Sequence, residues 1–112
     1  MAAYVELIMD QGTSFRNVIN LTDDLSNVPV NIYGYSVSSQ MRRSYYSVNA
    51  TANITCTISN YANGEITMSM TAANTTLIKA GRYLFDLETV DGSGTVNRVL
   101  EGIITVTPQI TR

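Results

Sequence analysis

Apolar and polar residues alternate one for one through most of this chain, and a period of two is the pattern of strands with one wet and one buried face. In Ile54-Thr55-Cys56-Thr57-Ile58-Ser59 the inward set is Ile54, Cys56 and Ile58. The run from Glu65 to Met70 alternates in the same way and buries Ile66, Met68 and Met70. Between them, Asn60-Tyr61-Ala62-Asn63-Gly64 carries an Asn-Gly pair, which readily supplies the positive φ angles of a tight reversal, so the two runs predict a hairpin.

The same reading extends along the chain. Tyr35 to Arg43 predicts a strand with Tyr35, Val37, Ser39 and Met41 on one face. Ser14 to Leu21 predicts another, with Phe15, Ile19 and Leu21 inward, and Tyr4 to Met9 a first one that Gln11-Gly12 turns. Between Asp23 and Pro29 the Asp, Asn and Pro residues break the pattern. Tyr83, Phe85 and Leu87 alternate with Leu84, Asp86 and Glu88; the turn Asp91-Gly92-Ser93-Gly94 follows, and a long strand returns from Val96 to Val106. In that last strand Val99, Leu100, Ile103 and Ile104 are apolar on both faces, as in a central strand or one covered by another subunit. Thr71 to Ile78 is the one segment that reads as a short helical turn, with Lys79-Ala80-Gly81 ending it as a glycine C-cap.

Seven strands at this spacing predict an all-β chain: a single antiparallel β-sandwich, immunoglobulin-like, with one short helical turn, forming one domain over residues 1–112. A chain of 112 residues has room for one core. Nine acids against seven bases argue against an electrostatic nucleic-acid binder. The N-terminus shows no basic leader with an apolar run behind it, and no stretch is long enough to cross a bilayer, so the expectation is folding in a reducing cytosol with no membrane partner. Four Asn-x-Thr triplets, at Asn20, Asn49, Asn53 and Asn74, match the glycosylation pattern but read as products of an Asn- and Thr-rich composition.

Chemistry is sparse. Without histidine, serine and threonine lack their usual base, and the single Cys56 anchors neither a disulfide nor an ordinary zinc site; it reads as a small buried apolar residue. Asp86 and Glu88 share a strand face with Asp91 just beyond, a trio that would need other ligands to hold calcium and that reads first as a solvated face. The expectation is no enzyme, no cofactor and no metal. Arg42, Arg43, Tyr45 and Tyr46 form the candidate protein interface, since Arg and Tyr are enriched at energetic interface centres; plain packing at a sheet edge is the other reading. Tyr33, Tyr35, Tyr45, Tyr46 and Tyr61 are candidates for an aromatic platform that would stack on sugars.

Several stretches carry a resemblance: Gln11-Gly12-Thr13-Ser14-Phe15, Val30 to Tyr35 ahead of Gln40 to Arg43, Asn63 to Ser69, Ala80 to Asp86, Arg98 to Gly102, and Val106-Thr107-Pro108. Through them the chain resembles small β-sandwich virion structural proteins of tailed bacteriophages, of the T4-like cyanophage type, and is similar to N-terminal modules of phage baseplate proteins. The resemblance implies a non-enzymatic particle component, made in the host cytoplasm and located in the virion. It implies assembly through protein–protein contacts as a capsid decoration or cement, neck or baseplate subunit, with other virion proteins as partners and a homo-oligomer or symmetric array as its state. No appended receptor-binding or fibre domain is present in the sequence, which favours assembly over host recognition. The alternative is a carbohydrate-binding or host-surface adhesion module.

Overall fold

The computed structural model describes residues 3–22, 28–44, 46–47 and 49–110. Within them the alternating runs become seven strands: β1 (Ala3–Asp10), β2 (Phe15–Asn20), β3 (Ser36–Arg42), β4 (Ala52–Asn60), β5 (Glu65–Met70), β6 (Gly81–Val90) and β7 (Val96–Thr107). A 3-10 turn (Tyr61–Asn63) joins β4 to β5, and a short helix α1 (Ala72–Thr76) lies between β5 and β6. The chain is all-β, as its period of two predicts.

The strands form one mixed sheet in the order β1-β7-β6-β3-β4-β5-β2. Six neighbouring pairs make the ladder, and five of them are antiparallel. The sixth corrects the expectation of a purely antiparallel arrangement, because β1 runs parallel to β7, from Ala3 opposite Leu100 to Asp10 opposite Thr107. Alternation fixes which face of a strand is buried and leaves its neighbour and direction open. β1 and β2 are joined by residues 11–14 alone yet occupy opposite margins of the sheet, so the sheet curls round until its margins approach each other. It turns over at β4, whose Ala52 to Ile54 pair with β3 while its remaining length pairs with β5.

The curled interior holds the core. Met9, Ile32, Met41, Ile66, Met68, Leu87, Ile104 and Val106 are fully enclosed, with Phe15, Ile54, Met70, Ile78, Tyr83, Phe85 and Leu100 around them. Each such side chain contributes roughly 1.5–3 kcal/mol on burial, and unbranched methionines suit an interior of uneven curvature. The inward sets read from β3, β5 and β6 are those observed, while Cys56 and Ile58 of β4 are half-buried. In β2 the inward set is Phe15, Asn17 and Ile19; Leu21 lies beyond the strand, where its N–H bonds the Gly64 carbonyl.

Two local readings are corrected. The β4–β5 reversal is a 3-10 turn capped by the Asn60 side chain and closed by Gly64 at φ 64°, with only the glycine in the left-handed region. The helix begins after Thr71, whose Oγ accepts from the Asn74 N–H, and closes at Leu77 in ordinary right-handed geometry. Lys79-Ala80-Gly81 is therefore not its cap: Ile78 is drawn into the core, and Gly81 already starts β6.

The pairings sort the loops into two ends. Residues 21–22, 28–35, 61–64 and 91–95 gather where β2 and β6 finish and β3 and β5 begin. Residues 11–14, 43–44, 46–47, 49–51 and 71–80 gather at the other end with the start of β6 and the finish of β7. That second end is laced by Gln11, which donates from Nε2 to the Ile78 carbonyl at 2.8 Å and accepts from the Gln109 N–H at 3.0 Å.

Candidate interaction surface

The basic and aromatic residues singled out at the end of β3 separate in the structure. Arg42 lies on the outer face of the sheet and donates to the Ser47 carbonyl at 3.0 Å and to Gln40 Oε1 at 2.9 Å, so it shapes the loop that follows it. Arg43 turns the other way and sets its guanidinium 5.0 Å from the centroid of the buried Tyr83 ring. Tyr46 projects into solvent at 93% exposure. Tyr45 lies outside the described residues.

The outer face of β1, β7, β6 and β3 carries more. Asp86 and Glu88 both point outward on β6, as their spacing predicts. Asp86 is joined at 3.4 Å by Arg98 of β7, which also reaches Glu101 at 3.4 Å. These ions line a shallow groove of about 190 Å³ with Gln40, Arg42 and Leu84. Half-exposed pairs of this kind add well under 1 kcal/mol or so to stability, so their value is the charge pattern they present. Arg98 was invisible as a partner in the sequence because it depends on the β6–β7 register, which sets Arg98 opposite Glu88 and so within reach of Asp86 on the same face.

Apolar residues share that face. Leu84 of β6 and Ile103 of β7 are directly paired and half-buried while pointing away from the core. Tyr4 and Ile8 of β1 stand beside them at 60% and 69% exposure. Ile103 and Val99 thus account for the apolar outer positions of the last strand, and a bulge opposite Leu87 and Glu88 leaves Val99 unpaired in the β6–β7 ladder.

Asp91 does not join the other carboxylates. Its Oδ1 accepts from the Ser93 N–H at 2.9 Å, the Ser93 hydroxyl at 2.7 Å and the Thr95 N–H at 3.0 Å, closing the β6–β7 turn. The Ser93 hydroxyl foremost, then the backbone donors, hold this carboxyl below the usual carboxylate range. Among the described residues no three Asp, Glu or Cys side chains converge as a metal site. Burial pushes the Cys56 thiol up to about 11, away from the thiolate that chemistry would need.

At the end formed by 28–35 and 61–64, two of the five platform tyrosines meet. The rings of Tyr33 and Tyr61 are 5.1 Å apart at 66°, an edge-to-face pair exposed to 74% and 50%. Tyr35 is half-buried, and Tyr46 is at the opposite end.

No family model matches this chain, and no curated protein matches it. Solved structures do. One, described as "Structural basis of T cell specificity and activation by the bacterial superantigen toxic shock syndrome toxin-1", contains a chain that superposes with a TM-score of 0.51 at 16% identity, covering 91% of this chain and 92% of that one. At that identity the likeness is one of fold: an all-β domain of the same size.

Proposed function

We propose that this chain is a non-enzymatic structural protein of a tailed-phage virion, an immunoglobulin-like sandwich that assembles through protein–protein contacts as a capsid decoration or cement, neck or baseplate subunit. The sandwich reading is supported by β4, which divides its pairing between β3 and β5, as strands do when they switch sheets at a corner. It is supported also by the grouping of β2 with β5 on one side of that switch and of β1, β7, β6 and β3 on the other.

The observation that carries the assembly reading is β1. This eight-residue strand borders β7 on one side only and contains neither proline nor a basic residue. It also exposes Tyr4 and Ile8. Free-standing sandwiches blunt such edges above all with lysine, proline or brevity, and β1 has only the acids Glu6 and Asp10, whereas a particle subunit covers such an edge with a neighbour. Arg42, Arg43, Tyr45 and Tyr46 remain the contact proposed at the other end of β3. The deciding experiment is labelling of purified parent particles with gold-conjugated antibody against this chain. Gold over the head means a decoration or cement protein, and gold at the neck or tail tip means a connector or baseplate part. No gold on intact particles would sink the reading.

A second reading, sugar binding, is favoured by the Tyr33–Tyr61 pair, since exposed aromatic faces at a loop end offer stacking surface. Binding of the isolated chain on a glycan array, lost in Tyr33→Ala, would support it; a blank array would remove it.

A further inference from the structure

The outer face of β1, β7, β6 and β3 carries a row that is complementary to itself. At one level of the sheet the four strands present Glu6, Ile103, Leu84 and Arg42 in that lateral order, because Glu6 is opposite Ile103, Ile103 opposite Leu84, and Leu84 opposite Arg42. The chain neighbours Met41, Phe85 and Ile104 point into the core, and Glu6 is exposed between the half-buried Val5 and Leu7, which fixes these four as outward. The row is therefore acid, apolar, apolar, base. Reversed from left to right it becomes base, apolar, apolar, acid, which is what an opposing surface should offer.

We propose that this face packs against the same face of a second copy, about a two-fold axis that lies between β7 and β6 and runs parallel to the strands. The operation exchanges β1 with β3 and β7 with β6 while keeping the level. Ile103 then meets the partner subunit's Leu84, Leu84 meets the partner subunit's Ile103, and Glu6 and Arg42 each meet the opposite charge. Sheets packed face to face stand about 10 Å apart, a gap that these side chains fill from both sides. The contact is isologous and closes as a dimer. The other in-plane axis, perpendicular to the strands, keeps each strand over itself, so at this level Glu6 meets Glu6 and Arg42 meets Arg42 and none of the row's opposite charges come together.

The neighbouring level is less favourable in its charges. It reads Tyr4, Glu101, Asp86, Gln40, so the same axis sets Tyr4 on the partner subunit's Gln40 and Glu101 near the partner subunit's Asp86. Arg98 contacts both acids within each copy, so the row arrives partly neutralised. The level beyond Ile103 adds Ile8 and Thr105, and Arg82 of β6. The inference deepens the assembly reading above and rests on it for its biological sense, while the contact itself is a property of the isolated chain.

Two variants test the axis through charge. Glu6→Arg and Arg42→Glu should each weaken dimerisation roughly tenfold or more in sedimentation velocity over a concentration series, and the double variant should restore it to within about threefold. Within one chain the two residues are three strand spacings apart, about 14 Å, too far for a direct ion pair, so restoration has to come from the partner.

A second measurement does not depend on Arg42, whose bonds to Gln40 and Ser47 also hold its loop. In a Cys56→Ser background, Ile103→Cys and Leu84→Cys chains are oxidised separately and as a mixture. Faster disulfide formation in the mixture than in either variant alone is the expected result. A monomer at every concentration overturns the proposal, as does a dimer whose mixture cross-links no faster than its components. In both cases the assembly reading stands or falls separately, on antibody labelling of particles.

Discussion

The carbonyl oxygen of Val5 occupies the space in which a side chain on Gly102 would stand. The two residues are register partners in the parallel β1–β7 ladder, and Gly102 points inward. The first strand is therefore seated over the last at the one position of β7 that has no Cβ to resist it.

Gly102→Ala should destabilise the chain by about 3 kcal/mol or more, at the upper end of what overpacking costs, because the colliding atom is backbone and cannot swing aside. Gly92→Ala is the control: its added methyl meets nothing within 4 Å, and it should stay within about 0.5 kcal/mol of the parent. Urea midpoints measure both. Equal midpoints for the two variants would show that β1 does not sit on Gly102.

Thr75 ties the short helix to the β1–β2 turn. It is fully buried, its Oγ accepting from the Gly12 N–H at 3.1 Å and donating to the Thr13 carbonyl at 2.7 Å. Thr75→Val keeps the shape and orphans both backbone groups, so it should cost about 1–3 kcal/mol. Thr76→Val, at an exposed hydroxyl that bonds only the Ala72 carbonyl of its own helix, should cost less. Thermal unfolding of the pair checks this, and equal losses would remove the latch.

These two sites show where sequence reading stops. Ile66, Met68 and Met70, or Tyr83, Phe85 and Leu87, announce their buried faces because alternation is a local property of a strand. The seating of Val5 on Gly102, the latch from Thr75 to Gly12, and the approach of Arg98 to Asp86 depend on which strand lies beside which. Those choices are made by contacts between distant parts of the chain. The outward direction of Asp86 and Glu88 was legible for the same reason that the core was. The outward face of Arg42 was legible too, since it is the last residue of β3 and alternates with Met41; the contact of Arg43 with Tyr83 was not, because it lies past the strand end and depends on β6 being the neighbour.

Cys56 couples stability to alkaline pH. Its folded thiol titrates near 11, above the 9.0 of an unburied one, so the unfolded chain releases this proton first. The contribution is fully present below pH 9.0 and is lost as pH rises toward 11. Thiolate absorbance in a pH titration should show a midpoint near 11 in the folded chain and a lower one in denaturant. A folded midpoint no higher than the denatured one would contradict the burial of the sulfur.

Asp91 acts in the opposite range. Its carboxyl titrates below the ordinary value, so the turn it closes is favoured above the unfolded pKa and loosens as pH falls through the folded one. The amide resonances of Ser93 and Thr95 should follow its titration with a midpoint below that of an ordinary aspartate, and should lose the transition in Asp91→Ala. Amides indifferent to acid would show that the Asx-type turn does not persist in solution.

The parallel ladder between β1 and β7 also decides how the domain would bear load. The chain enters at Ala3, opposite Leu100, and leaves past Thr107, opposite Asp10, so the two ends of the ladder face opposite ways along its length. Tension between the termini would drag β1 and β7 past each other and strain all the rungs together. An arrangement that opened from one end would instead release them singly, like a zip. A subunit tethered on both sides would thus meet pulling force with its most resistant geometry.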